Sequence, residues 1–331
     1  MRPFTKPALS VEQQLDLLKQ RGLLIANDER AIRFLEVVSL FRLSPYMRPF
    51  QENGDDHQFK EGSTLKAVVH IYRFDAELRH IVMAAIERVE VAIRACISNQ
   101  MSPNHGADWL TDPSNFNTQK FKHPEFLAEI TRKIGKEKDK LTDEVGRINL
   151  TSQSGEIKQQ RIDSRLRANY YRFYGATYDH PAIPPSWAVL EELSLGDISF
   201  LFGSLSRDAD KKAIAARFNL PAHVLASCLH TLTFIRNCCA HHSRLWNREL
   251  AVRPKLPNHW IVPHVPHGRP RPPDRLYIVL TLLAYLTDTI SPDSNWKPRI
   301  SNLLESYGFA DSTVQHLMGF PDNWKAEPQW V

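Results

Sequence analysis

The chain has 331 residues, of which 42% are apolar and 24% are charged, and it carries a formal net charge of +5. This length and apolar fraction suffice for one large domain or two small ones with a buried core. Because the basic excess is mild, it permits a polyanionic partner without requiring one. The 13 glycines and 22 prolines favour helices with proline-punctuated connections over a glycine-rich sheet protein.

The cysteines and the apolar runs indicate the cellular compartment. No pair among Cys96, Cys228, Cys238 and Cys239 has CxxC spacing, and the vicinal pair has poor geometry for a structural disulfide. The opening segment lacks the apolar stretch of a signal peptide, and the longest strongly apolar run, near 278–286, is too short to span a bilayer. We therefore expect a soluble cytoplasmic protein without a membrane partner.

Two helices are predicted at the start of the chain. Ser10 and Gln13 form a capping box, and Gly22 stops the pattern, so residues 10–21 are expected to be helical. Asp28 is expected to open a second helix over the letters ERAIRFLEVVSLF, which a serine–proline pair then interrupts.

A long amphipathic helix is predicted from Thr64 to about Gln100. Its apolar residues recur at intervals of three and four, the period of one helix face. The charged residues Arg79, Glu87, Arg88, Glu90 and Arg94 are expected on the other sides, with Glu90 and Arg94 as an i,i+4 ion pair.

The middle of the chain is polar. Residues 102–122 are rich in proline, glycine and asparagine and are predicted to be mainly loop, and helices are expected over 124–172. We interpret 112–180 as a polar helical insertion that projects from the core and is mobile. Its Arg, Lys and Tyr content would suit contact with a nucleic-acid backbone, and a solvated helical hairpin is the alternative.

The last part of the chain adds five predicted helices and no strands. They begin near Trp187, Asp208, Pro221, Asp274 (as a capping residue) and residue 296, with an irregular proline-rich stretch at 254–273. No period-2 series appears, so the fold class is all-α. We expect an N-terminal helical region at 1–62 packed on a main domain at 63–331.

The segment FIRNCCAHHSRLWNREL carries the strongest candidate chemistry. Arg236 and His241 are five residues apart, which turns their side chains roughly 140° apart on a helix. Asn237 and His241 are at i,i+4 and share a face, so the three side chains can reach a common cleft. The alternative is a helix-end arginine in a salt bridge beside two surface histidines.

This trio suits metal-independent cleavage of RNA. Histidine exchanges protons near neutral pH and can act on the 2′-hydroxyl, while a guanidinium stabilises charge that develops on the phosphate. No carboxylate cluster accompanies the trio, so neither a metal nor another cofactor is required. The expected products are a 2′,3′-cyclic phosphate and a 5′-hydroxyl. The residues expected to contact substrate are His242, Arg244, Trp246, Asn247 and Arg248.

Several of these residues have structural alternatives. Arg244 and Arg248 are at i,i+4 and are predicted to bind phosphate as a pair. Trp246 is predicted to stack on a base, with a core tryptophan as the alternative. Cys238 and Cys239 either act as a redox switch or serve as small buried side chains.

Two weaker constellations complete the list of candidates. His259, His264 and His267 share one loop, but their spacing fits no standard zinc pattern, and the alternative is a proline- and histidine-rich surface loop. Glu87 or Glu90 would hold Arg236 in position in a functional interpretation, whereas ordinary ion pairing along the helix is the structural alternative.

The sequence resembles the Abi-like (abortive infection bacteriophage-resistance) family, a branch of the HEPN superfamily. The segment RNCCAHHSRLWNR is similar to the family signature, with Arg236, Asn237 and His241 at its motif positions. Other segments that resemble the family are KPALSVEQQLDLLKQRGLLI, RAIRFLEVVSLFRLSPYMRPF, IYRFDAELRHIVMAAIERVEVAIRACI and MGFPDNWKAEPQW.

The resemblance implies a HEPN-like helical bundle with ribonuclease activity, a composite active site formed by two copies in a homodimer, and a role in phage defence or toxin-like growth arrest. It also implies a restraining partner, either a small RNA or an antitoxin protein. The leading hypothesis is thus an endoribonuclease of this class, and the alternative is a non-catalytic RNA-binding or regulatory helical protein of the same fold.

Overall fold

A computed structural model describes residues 3, 7–54, 56–258, 260 and 274–331 of the chain. Within these residues the regular structure consists of α-helices and short 3₁₀ turns, with isolated β-bridges and no strand. The prediction of an all-α fold is confirmed. None of the helices in the described part of the chain is both long enough and apolar enough to cross a membrane.

Three helices form the N-terminal region: α1 (Val11–Gln20), α2 (Asp28–Val37) and α3 (Leu40–Met47). The predicted capping box is confirmed, since Ser10 accepts from the Gln13 amide at 3.2 Å and its own amide donates to the Gln13 side chain at 2.8 Å. The second helix begins at Asp28 as predicted, with Asn27 as its N-cap. The predicted extent was wrong, because Ser39 caps a separate α3, which splits the predicted second helix.

The longest element is α4 (Leu65–His105), with Thr64 as its N-cap as predicted. It passes Pro103 and ends at His105, five residues later than expected, and the Gly106 that follows adopts a left-handed φ of 91°. Its apolar stripe is buried, and α4 packs against helices from both the N-terminal and the C-terminal parts of the chain. It is the central helix of the fold.

The polar middle of the chain forms α5 (His123–Asn149), α6 (Gly155–Leu166) and α7 (Tyr170–Thr177). Arg172 on α7 is buried, and its guanidinium pairs with Glu137 and Glu144 of α5 at 3.1 Å each. These pairs hold α7 against α5. Contact of this insertion with nucleic acid stays a prediction, as does the domain boundary near residue 62.

The remaining helices are α8 (Ser186–Glu191), α9 (Leu195–Ser204), α10 (Asp208–Ala216), α11 (Ala222–Ala240), α12 (Leu276–Ile290), α13 (Trp296–Ser306) and α14 (Thr313–Leu317). The sequence analysis missed α9, which a Ser194–Asp197 capping box starts. It also assigned Asp274 as the cap of α12, whereas Arg275 holds the N-cap position and no side chain caps that end.

A buried carboxylate joins the N-terminal region, α4 and the segment that follows α11. Asp75 on α4 is completely buried and accepts hydrogen bonds from the Tyr46 hydroxyl at 2.6 Å and from Arg79 at 2.5 Å. It also accepts from the backbone amides of Leu245 (3.1 Å) and Trp246 (2.6 Å). Burial and the adjacent carboxylate raise the pKa of Tyr46, so its hydroxyl remains a donor.

We expect Asp75→Ala to lower the free energy of unfolding by about 3–5 kcal/mol, because it leaves Arg79 buried without its counter-charge. Urea unfolding followed by circular dichroism measures this loss. The matched control is Glu29→Ala in the exposed i,i+4 pair Glu29–Arg33, which should cost less than about 1 kcal/mol. Equal losses in the two variants would contradict a special role for Asp75.

Candidate functional site

The candidate motif lies at the C-terminal end of α11. The His241 amide donates to the Asn237 carbonyl at 3.0 Å, so the helical register continues to His241 although the helix ends at Ala240. The His242 amide then donates to the Cys239 carbonyl at 3.0 Å, and the Ser243 amide donates to the Cys238 carbonyl at 2.8 Å. This is a Schellman turn, in which His242 takes the left-handed position with a φ of 53°.

The three predicted catalytic residues are presented at the surface. Asn237 and His241 are exposed and Arg236 is half-buried. Within the described residues, none of these three side chains makes a hydrogen bond or an ion pair. The alternative of a salt-bridged helix-end arginine is therefore not supported, whereas the two histidines of that alternative, His241 and His242, are indeed exposed.

Contacts from distant parts of the chain fix the turn that follows the motif. Arg42 on α3 donates to the His242 carbonyl at 2.6 Å and to the Tyr72 hydroxyl at 3.3 Å. Asp75 then holds the amides of Leu245 and Trp246. The sequence analysis missed Arg42 and Asp75 and placed Arg79 on the polar side of α4. The sequence does contain a signal for the buried pair, because Asp75 and Arg79 are four residues apart beside the apolar stripe of α4.

Trp246 lies in the core of the protein. Its side chain is completely buried, its ring stacks on Tyr46 with centroids 6.5 Å apart, and its indole nitrogen donates to the Val314 carbonyl at 3.2 Å. A ring with no exposed surface cannot stack on RNA, so the predicted base contact is wrong. The core tryptophan given as the alternative is what the structure contains.

Arg244, Asn247 and Arg248 form a compact non-helical turn. Arg244 donates to the Asn247 carbonyl at 3.1 Å, and the Arg248 Nε donates to the Arg244 carbonyl at 2.6 Å. Because the helix has already ended, the two arginines are not one helical turn apart, and their binding of phosphate as a pair stays a prediction. Burial, and then the charge of Arg248, lower the pKa of Arg244.

The neighbouring cysteines are buried thiols. Cys238 is 8% exposed and Cys239 is 6% exposed, and burial raises the pKa of Cys239 to about 12. A thiol reacts as its thiolate, so this environment suppresses redox chemistry. The structure favours the alternative of small buried residues over the redox switch.

The two weaker predictions fare differently. Glu90 pairs with Arg94 at 2.5 Å, as predicted, and Arg94 also donates to the Leu193 carbonyl at 2.7 Å. Neither Glu87 nor Glu90 contacts Arg236 among the described residues, so the proposed positioning role is wrong. The three histidines of the predicted metal site, His259, His264 and His267, lie outside the described residues. The part of the chain that the structure describes has no group of three metal-ligating side chains.

We expect His242→Gly to raise the free energy of unfolding by about 0.5–1 kcal/mol, because glycine adopts the left-handed conformation without strain. His241→Gly is the matched control: with a φ of −88°, this position has no strain to relieve, and glycine there should be neutral or destabilising. Thermal and urea unfolding measure both. Stabilisation by the control but not by His242→Gly would contradict the strain argument.

Cys228 and Cys239 should resist alkylation in the folded protein. With pKa values of about 12, both thiols hold on the order of a thousandfold less thiolate at neutral pH than a free cysteine, and thiolate appears only as the pH rises toward 12. Iodoacetamide labelling read by mass spectrometry measures this protection, with the urea-unfolded chain as control. Equal labelling rates in the folded and unfolded protein would contradict it.

The comparisons with known proteins identify the family. No curated protein and no solved structure matches the chain. The family model described as Abi-like protein matches residues 33–247, which is well over half of the chain and contains Arg236, Asn237 and His241. The N-terminal and C-terminal segments that resemble the family lie partly or wholly outside this match. On the extent of the matched region, this chain belongs to the Abi-like protein family.

Proposed function

We propose that this protein is a metal-independent endoribonuclease whose catalytic residues are Arg236, Asn237 and His241. The observation that carries the proposal is their presentation at one helix end without partners among the described residues, next to a turn that Arg42 and Asp75 hold in place. Membership of the Abi-like family implies a role in phage defence. The four free thiols suit a reducing compartment such as the cytoplasm.

The chemistry assigns one role to each residue. His241 removes the proton of the 2′-hydroxyl, whose oxygen attacks the adjacent phosphorus while the bond to the 5′-oxygen breaks. Arg236 binds the non-bridging oxygens, where negative charge increases in the transition state. Asn237 donates to the phosphate or orients His241. The products are a 2′,3′-cyclic phosphate and a 5′-hydroxyl, and the leaving 5′-oxygen takes up a proton.

A homodimer would supply the second proton-transfer group. In-line attack places the attacking and leaving oxygens on opposite sides of the phosphorus, so one histidine cannot contact both at once. A second copy of the chain, facing the first across its own Arg236 and His241, would supply that acid. The surface exposure of this helix end is compatible with such an arrangement. Family resemblance adds a restraining small RNA or antitoxin protein as a proposed partner.

We expect Arg236→Ala and His241→Ala each to reduce RNA cleavage at least about a hundredfold, because each removes charge stabilisation or proton transfer from the transition state. A labelled RNA resolved on a denaturing gel, with EDTA present, measures the rate and the cyclic phosphate end. Arg30→Ala and His80→Ala are matched controls, since both residues are exposed and lie outside the motif.

Full activity in both motif variants, or loss of wild-type activity in EDTA, would overturn this mechanism. RNA binding that weakens with salt but leads to no cleavage would instead identify the chain as a non-catalytic RNA-binding protein of the same fold.

Sedimentation equilibrium tests the composite site separately. We expect the wild-type chain to form a dimer at the concentration at which it cleaves RNA. The specific rate should fall as dilution separates the two copies. A monomer with an undiminished specific rate would show that one chain is sufficient.

A further inference from the structure

A large cleft lies beside the candidate motif, and of its lining only Arg244 and Asn247 were predicted above to contact substrate. It has a volume of about 1270 Å³ and runs between α1, α3 and the turn that follows α11. We name it the N-terminal cleft and define it by Arg21, Phe41, Arg48, Arg244, Asn247 and Arg275. It exceeds the roughly 300–1,000 Å³ of ordinary small-molecule sites, so its natural occupant is larger than a single metabolite.

The charge of the cleft has one sign. Four arginines and His57 line it, and no Asp or Glu is among the described residues of its lining. Within the described residues, Arg21, Arg48 and Arg244 form no ion pair, although the charge of Asp75 acts on Arg244. Arg275 reaches Glu249 only at 3.9 Å. Like charges at this density repel one another, and a ligand with several negative charges would relieve the repulsion.

The floor of the cleft is apolar, which distinguishes it from a simple anion site. Leu17, Leu40 and Met47 contribute to the lining, and Phe41 at the same cleft is 89% exposed. A large aromatic ring that is almost fully exposed to water offers a surface on which a ligand can stack. Guanidinium groups beside an exposed aromatic ring match the two parts of single-stranded nucleic acid, namely its phosphates and its bases.

The cleft also adjoins the proposed catalytic residues through the backbone. Arg244 and Asn247 of its lining follow His241 by three and six residues, and Arg42 on α3 holds the His242 carbonyl at 2.6 Å. We propose that the N-terminal cleft binds a single-stranded RNA segment that flanks the scissile phosphate. This inference rests on the proposed function. It assigns substrate binding to α1, which precedes the residues matched by the family model.

The test measures binding apart from cleavage. The probe is a short fluorescein-labelled RNA that is fully 2′-O-methylated, because methylation removes the attacking hydroxyl. Arg21→Gln/Arg48→Gln should weaken its binding about tenfold or more and reduce the slope of log K against log salt by about 1.4, the value for two phosphate contacts to a single strand. The matched control is Arg30→Gln/Arg33→Gln on α2, outside the cleft, which should bind as the wild type does.

Phe41→Ala separates a nucleic-acid strand from other polyanions. Loss of a stacked base should weaken binding of the methylated RNA about fivefold or more, while binding of inorganic polyphosphate stays unchanged. Because Phe41 is exposed and Arg21 and Arg48 have no ion-pair partner among the described residues, these variants should fold, and circular dichroism checks this. Equal effects on both probes, or no effect of Phe41→Ala, would overturn the strand assignment.

The outcomes distinguish this inference from the proposed function. Cleavage by the wild type together with unchanged binding by Arg21→Gln/Arg48→Gln would reject RNA binding in the cleft and leave the proposed nuclease activity standing. Binding that depends on Arg21 and Arg48, with no cleavage of unmodified RNA, would support the cleft and reject the nuclease. If the wild type does not bind the methylated RNA, the proposal that the N-terminal cleft binds single-stranded RNA is wrong.

Discussion

The geometry of the candidate site depends on one buried carboxylate. Asp75 accepts hydrogen bonds from a tyrosine of α3, from an arginine one turn along α4 and from two successive backbone amides beyond the motif. A buried charge is tolerated only when its oxygens are satisfied, so these donors must be present together. The same contacts seat Trp246 in the core and fix the direction in which the chain leaves the motif.

The parts of the fold that local sequence determines were predictable. The first helix and its capping box, the start of α4 at Thr64 and the all-α class follow from patterns a few residues long. The errors arise where two local signals compete, as at Ser39, which caps a new helix inside an apolar period. In α9, four of ten residues are Gly or Ser, and its apolar residues were not recognised as a helix.

The candidate site shows the same division. Spacing placed Asn237 and His241 on one helix face, and the hydrogen bond from the His241 amide to the Asn237 carbonyl is present. Arg244 and Arg248 lie beyond the turn at His242, so their spacing of four residues does not place them one turn apart on a helix. The contacts of Arg42 with the His242 carbonyl and of Asp75 with the Leu245 amide could not be assigned from sequence, since these partners lie 200 and 170 residues away and no short pattern records such a pairing.

The long reach of these contacts determines when the site can form during synthesis. Asp75 can accept from the Leu245 and Trp246 amides only after the ribosome has added the 170 and 171 residues that separate them. The Trp246 indole in turn donates a hydrogen bond to the Val314 carbonyl, a further 68 residues along the chain. Contacts of such sequence separation form late, because long loops must close first. A nascent chain therefore carries the motif before it has the framework that orients it, so the arrangement described here is acquired only after Val314 has left the ribosome.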